Sequence, residues 1–471
     1  MRLSQCVTLT DGELVGEDCE FSAITTDTRN IKNADLFVAL RGENFDGHSF
    51  VLQAQQSGAA AVVVEHRVEG CTLAQLIVKD TTLALGSIAN GIRQKYKGPL
   101  VAITGSCGKT SVKGLTKSIF EQAGKTLATQ GNFNNHIGVP LTLNGLTAEH
   151  DFAVIEMGTS GKNEIAYLAN LAEPSIALVN NIRAAHIGGF GSIDAIAQEK
   201  GTIYTALEHS HIKHRVTGTA VINLDDAFSS QYIKQTEHLK QLGFSAGKSD
   251  VSNFSFPCLS AKNISINAEG FPAFVMHYQS EKVPVALNVL GLHFVNNALA
   301  ASACAIAAGL SLGVIASGLQ QYQGDNGRMQ RLDSVVRGQK AVIIHDAYNA
   351  NPGSVRAAID FLAAQSTPIR LLVLGYMGEL GEGETIEHTS VGLYAQEMGV
   401  THLLAIGNLP RLAAEAFGNG AIAVANTMEA AEIIAPYLHQ DATILLKGSH
   451  TAAVDDVLPI LSKTGKGLSP C

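Results

Sequence analysis

The run TGSCGKTS at residues 104–111 sets two glycines and a lysine at the end of a short apolar stretch, LVAI at 100–103. Those residue types make an anion site. Backbone N–H groups of Gly105, Ser106, Cys107, Gly108 and Ser111 can cradle phosphates, Lys109 adds a point charge, and the Thr110 hydroxyl can hold Mg²⁺. The general phosphate-loop spacing asks for glycine five positions before Gly108, where Ile103 stands, so the loop is a shorter variant. The competing reading is a glycine-rich turn in an ordinary βα unit. Cys107 has no histidine partner in the pattern and reads as a small loop residue, not a nucleophile.

Two further groups fall where such a site collects ligands. Glu156 ends the apolar run FAVIE at 152–156, and His186 follows IALV at 176–179. The carboxyl ends of parallel strands gather ligands. A carboxylate there suits a metal bridging the β- and γ-phosphates, and a neutral imidazole suits a second metal. The alternatives are a solvated strand end and a satisfied loop histidine.

The elements that must position these groups are legible in outline. From residue 100 apolar strand-like runs alternate with helical ones, which implies a parallel sheet covered on both faces. A helical pattern follows the loop from Val112 to Ala123. Residues 250–290 alternate polar and apolar positions, as antiparallel strands do, and add a small β-meander. After Arg328 a second βαβ series begins, with apolar runs at 341–345, 370–375, 402–407, 421–425 and 443–448. The first eighty or so residues form a smaller α/β unit. The fold class is therefore α/β with three domains: 1–83, a central phosphate-loop domain at 84–324 with a doubly wound parallel sheet, and a Rossmann-like domain at 325–471.

Composition narrows the function. Against 42 acidic residues stand 33 Lys and Arg, a net charge of -9, which offers no general attraction to nucleic acid or anionic lipid. The seven cysteines are scattered and never paired at metal spacing, which suits a reducing cytoplasm. Acidic residues precede any apolar core of signal-peptide length, so a cytoplasmic protein is expected. The uncharged stretch 298–323 imitates a membrane span but is rich in Ala, Ser and Gly, and reads as a buried helix pair broken near Gly309.

Taken together, several long ordered motifs resemble the Mur ligase family. They are the loop itself, GNFNNHIGVPL at 131–141, IEMGTSG at 155–161, AHIGGFGSI at 185–193 with QEK at 198–200, NNALAA at 296–301 and GRMQRLD at 327–333. The segment HDAYNANPGSVRAAIDF at 345–361 is similar to the branch that adds D-alanyl-D-alanine to UDP-N-acetylmuramoyl-tripeptide. TDTRN at 26–30 and LRGENFDGHSFV at 40–51 resemble its uridine-nucleotide domain.

The resemblance implies a set of roles. ATP lies on the loop and Lys109; Thr110 and Glu156 hold one Mg²⁺, and His186 helps hold a second. Lys200 corresponds to a lysine that the family carbamylates, and with Lys109 and His186 makes up the catalytic set. Asn297, Arg328 and Asp346 contact base, γ-phosphate and ribose. Thr28, Arg29, Asn44 and His48 take the uridine nucleotide, Asn134 and Asn135 the substrate, and Tyr348, Asn349 and Asn351 the incoming dipeptide. Departures stand at Phe294, usually Asn; at His345 and Ala347, usually acidic and Ser; and at Tyr376, usually Asp. The implied chemistry is attack of a peptide carboxylate on the γ-phosphate, then aminolysis of the acyl phosphate, with His345 as a candidate base. A monomer that opens and closes around its substrates is expected. Rival readings are a sister or folate-type ligase, an ATP-driven switch that is indifferent to amines, and a catalytically silent homologue.

Overall fold

In the computed structural model the apolar runs become strands of three separate sheets. It describes residues 1–471 except 43–44, 184–186, 209–217, 249, 337–338, 379, 464–468 and 471. The first domain holds β1 (Glu13–Val15), β2 (Ile24–Thr25), β3 (Leu36–Val38), the small hairpin β4 (Arg41–Gly42) and β5 (Phe45–Asp46), then β6 (Ala61–Val64) and β7 (Ala74–Ile77). Its sheet runs β1-β7-β6-β3-β2, with only the β1–β7 pair antiparallel.

The central domain contains β8 (Leu100–Thr104), β9 (Thr126–Ala128), β10 (Phe152–Glu156), β11 (Ile176–Val179), β12 (Thr219–Asn223), β13 (Lys240–Ser245), β14 (Cys258–Ile266), β15 (Pro272–Tyr278) and β16 (Glu281–Ala286). The order is β16-β15-β14-β13-β12-β11-β8-β10-β9. It is parallel from β9 to β14, and the expected meander supplies the antiparallel β15 and β16. Alternation along β8 explains why both faces carry helices. Val101 and Ile103 join one core with the helices Lys109–Phe120 and His293–Ala307, while Leu100 and Ala102 join another with Gly138–Asn144 and Glu164–Ala172. Each fully buried aliphatic side chain contributes about 1.5–3 kcal/mol relative to exposure.

In the third domain β17 (Gln330–Val336), β18 (Gln339–Asp346), β19 (Ile369–Leu374), β20 (His402–Ile406), β21 (Ala421–Val424), β22 (Ala442–Lys447) and β23 (Ser469–Pro470) follow the order β21-β20-β19-β22-β18-β17-β23. Leu372, Leu374 and Leu445 point into the same core as Ile103 and Phe294, so one apolar face runs from the central into the third domain. Phe361 closes that junction over Gly270, where an added Cβ would sit 2.6 Å from its ring.

Three details differ from expectation. The boundary expected at residue 83 falls inside the helix Thr81–Arg93, whose N-terminus is capped by the Asp80 carboxylate accepting from Thr82 N and Leu83 N at 2.7 and 2.9 Å. That helix serves two domains: Ala84, Leu85 and Ile88 pack into the first core and Ala89 into a central one. The post-loop helix begins at Lys109, not Val112, because left-handed Gly108 (φ 77°) turns the chain directly into it. Strands β9, β13 and β17 went unread, being short or polar. The stretch resembling a span is the expected helix pair, His293–Ala307 and Leu312–Gln321, with Gly309 at φ +92° between them. Among the described residues no helix is long and apolar enough to cross a membrane.

Candidate active site

The phosphate loop leaves β8 at Gly105 and re-enters helix at Lys109, and its shape is held by two asparagines behind it. Asn181 Oδ1 accepts from Cys107 N at 2.9 Å, while the side-chain amides of Asn180 and Asn181 donate to Cys107 O at 2.9 and 3.0 Å. Asn180 and Asn181 directly follow β11, so their placement is a result of β11 pairing with β8. Gly108 faces Asn297 Oδ1 and Asn180 Nδ2, which a Cβ would meet at 2.7 and 2.8 Å. Lys109 Nζ folds back to donate to Gly105 O at 2.8 Å, at the rim of the loop.

Two adjoining cavities open from the loop. The smaller, about 300 Å³, is lined by Cys107, Phe294, Asn297, Arg328, Asp346 and Lys447 among others, and the larger, about 760 Å³, by Lys109, Thr110, Asn134, Glu156, Tyr348 and Asn351 among others. Cys107, Gly108, Arg328, Asn349 and Ser354 line both. Sizes and linings suit a nucleoside in the smaller and a phosphate chain with acceptor groups in the larger.

Glu156 is 2% exposed at the end of β10. Asn134 donates to its Oε1 at 2.9 Å, while Oε2 has no hydrogen-bond partner and lies 3.8 Å from the buried Lys113 ammonium. Lys113 faces this oxygen too far away for a hydrogen bond, and a cation bound in contact with it would supply what it lacks. Thr110 lines the same cavity. A hard oxygen pair of this kind fits Mg²⁺, which keeps several waters and phosphate oxygens of its own. His186 lies outside the described residues. Lys200 is buried, 1% exposed, on the helix Ile193–Gly201, and is not among the residues lining either cavity.

The third domain reaches across to the loop at two points and orders its own facing turn through Asp346. Arg328 donates to Thr110 Oγ1 at 2.8 Å and lies over the Tyr348 ring at 4.3 Å. Asn351 donates to Cys107 Sγ at 3.4 Å while its Oδ1 caps the helix Pro352–Ala363 through Ser354 N. Asp346 takes Met329 N–H on Oδ1 and Lys447 on Oδ2, at 3.2 and 2.9 Å.

Other named residues are committed to the fold. Asn135 Oδ1 starts the helix Gly138–Asn144 by accepting from Ile137 N and Gly138 N. In the first domain Arg29 pairs with Asp27 at 2.8 Å beside Thr28, and Asn44 lies outside the described residues. His48 has both ring nitrogens engaged, Nδ1 with Asp46 at 2.6 Å and Nε2 accepting from Glu65 N at 2.8 Å. The departures are accommodated individually. Phe294 and Ala347 are buried in apolar cores. His345 is buried with Nε2 unpartnered, and burial pushes its pKa below the ordinary imidazole value. Tyr376 donates to Glu384 and stacks on His388.

Sequence reasoning missed Lys113, Asn180, Asn181 and Lys447. Asn180, Asn181 and Lys447 stand at the carboxyl ends of parallel strands, which was a usable signal. Lys113 is one turn beyond Lys109 and shares its helix face.

Comparison with known proteins adds independent findings. Residues 20–93, 103–305 and 327–450 match family models described as Mur ligase family, catalytic domain; Mur ligase middle domain; and Mur ligase, glutamate ligase domain. Over 466 residues the chain is 38% identical to the UDP-N-acetylmuramoyl-tripeptide--D-alanyl-D-alanine ligase of Escherichia coli K12, covering 98% of both, and it is 35% identical to the enzyme of that name from Synechocystis, covering 94% of this chain and 92% of the other. A crystal structure of MurF from Acinetobacter baumannii superposes with a TM-score of 0.86 at 32% identity, over 98% of each chain.

Proposed function

The chain belongs to the Mur ligase family, and from that premise we propose that it is an ATP-dependent ligase joining D-alanyl-D-alanine to UDP-N-acetylmuramoyl-tripeptide, with release of ADP and phosphate. The observation that carries this reading is the convergence of Lys109, Glu156, Arg328 and the 346–351 segment on one pair of adjoining cavities.

Each group has a task that its position suits. ATP phosphates lie on the loop N–H groups, with Lys109 released from Gly105 O to meet them. Arg328 leaves the Thr110 hydroxyl for the γ-phosphate. Thr110 and Glu156 would hold Mg²⁺, which would supply positive charge against the phosphate oxygens. The terminal carboxylate of the tripeptide attacks the γ-phosphorus; its O–P bond forms as the bond to the β-γ bridging oxygen breaks, and ADP leaves. The dipeptide amine, having lost a proton, attacks the acyl carbon, and the tetrahedral intermediate collapses to amide and phosphate. Preorganised charge at such centres is worth about 10²–10³-fold per donor. The third domain covers the cavities and keeps water from the acyl phosphate, and its opening and closing admit substrates.

Several finer points belong to the same reading. Lys200, buried on the helix Ile193–Gly201, is the lysine whose deprotonated amine would add CO₂ to become an anionic oxygen ligand. A ¹³C carbonyl signal after equilibration with labelled bicarbonate, lost in Lys200→Met, is expected; its persistence in the variant removes the carbamate. The protein works as a monomer in the reducing cytoplasm, which suits its free cysteines.

The test is the tripeptide substrate carrying ¹⁸O in its terminal carboxylate, supplied with ATP and a panel of amines. Transfer of one ¹⁸O to phosphate, with amide product formed from D-alanyl-D-alanine but not from single amino acids, is expected. Unlabelled phosphate refutes the acyl-phosphate route, and equal product from single amino acids refutes the branch.

A further inference from the structure

Lys447 ends β22, the central strand of the third sheet, and is 3% exposed. Its ammonium serves three acceptors within one short stretch of chain: Asp346 Oδ2 at 2.9 Å, Asp346 O at 3.2 Å and Asn349 O at 2.7 Å. Two of these are hydrogen bonds to backbone carbonyls and the third is an ion pair, so the 346–349 turn surrounds the group. The same carboxylate takes Met329 N–H on its other oxygen, and Met329 follows Arg328 in left-handed backbone at φ 53°. One side chain thus connects the end of β22, the turn carrying Asp346, Tyr348 and Asn349, and the strand start carrying Arg328. Parallel pairing of β18 with β22, which sets Asp346 opposite Lys447, explains why the two meet.

We propose that Lys447 is the positioning residue of the nucleotide site: it aims the Asp346 carboxylate at the ribose and fixes the turn that bears Tyr348 and Asn349. This rests on the reading of Asp346 as the ribose contact. Removing the ammonium leaves a carboxylate and two carbonyls in the cavity wall without their donor. The turn then relaxes, and discrimination at the ribose falls before any loss at the phosphate loop 104–111.

The test uses the full-length protein with ATP, 2′-deoxy-ATP and 3′-deoxy-ATP, comparing kcat/KM for wild type, Lys447→Met and Lys447→Arg, with a melting curve for each. Wild type is expected to prefer ATP over at least one deoxy analogue by about tenfold, the scale of one charge-assisted hydrogen bond. In Lys447→Met that ratio falls to within about threefold of unity, with a higher KM for ATP. In Lys447→Arg, whose planar fork cannot direct three donors to these points, it falls partway. If wild type discriminates and both variants keep the full ratio, the inference is overturned, whatever happens to the melting temperature. Should Lys447→Met fail to fold, the Lys447→Arg ratio decides alone. If wild type itself shows no preference, the ribose assignment of Asp346 fails, a separate result from ligation, which the same assay records.

Discussion

Replacing Gly108 by alanine isolates what the shape of the loop is worth. Gly108 has φ 77°, and an added Cβ would lie 2.7 Å from Asn297 Oδ1 and 2.8 Å from Asn180 Nδ2. Left-handed backbone costs a non-glycine residue about 1–2 kcal/mol. Accommodating the methyl group also displaces the Asn180 amide from Cys107 O and Asn297 Oδ1, now at 2.9 and 3.3 Å, each bond worth about 0.5–1.5 kcal/mol. The expected cost is about 2–5 kcal/mol. Gly131 is the matched control: φ is +50° and nothing lies within 4 Å of its added Cβ, so Gly131→Ala carries the backbone cost alone. The unfolded-state benefit of Gly→Ala is common to both and cancels in the difference. Urea unfolding of the transition that an ATP analogue shifts gives the stabilities, and analogue titration gives affinity. Gly108→Ala is expected to be the less stable by about 1–3 kcal/mol and to bind the analogue at least tenfold more weakly. Equal stability within about 0.5 kcal/mol and equal affinity would refute the reasoning.

Two further perturbations address the metal carboxylate and the third domain. Glu156→Gln keeps an acceptor for Asn134 but removes the charge facing Lys113; Mn²⁺ affinity measured by paramagnetic resonance should drop at least tenfold and ligation at least 100-fold, and unchanged Mn²⁺ binding would contradict the assignment. His388 is buried, accepts Met377 N–H on Nε2 at 3.1 Å and pairs Nδ1 with Glu384 O at 2.8 Å, an arrangement that requires the neutral ring, and burial holds its pKa below the ordinary value. As pH falls below about 6.5 the unfolded chain takes up a proton that the folded His388 refuses, so stability is lost on the acid side. The stability difference between wild type and His388→Gln should shrink between pH 7 and 5, by up to about 1.4 kcal/mol per pH unit; a constant difference would sink the argument.

The parts of this site that are contiguous in the chain were legible in the sequence. The strand, loop and helix from 100 to 120 declare themselves through local pattern, and Glu156 through its place at a strand end. What was not legible depends on pairing between distant segments. Asn180 matters because β11 lies beside β8, and Lys447 because β22 lies beside β18, relations that no local window contains. His48 shows what a motif cannot reveal: its ring is already held by Asp46 and the backbone of Glu65, partners brought by folding. The extent of the helix Thr81–Arg93 was obscured for a related reason, since its apolar positions belong to two cores at once and blur the periodicity that marks a boundary.

The most direct measurement is phosphate release from ATP with UDP-N-acetylmuramoyl-tripeptide present, with D-alanyl-D-alanine supplied or withheld and the amide product quantified in the same samples. Sustained release that requires the dipeptide and equals amide formed, one for one, is expected of this site; release at the same rate whether or not the dipeptide is present would contradict it.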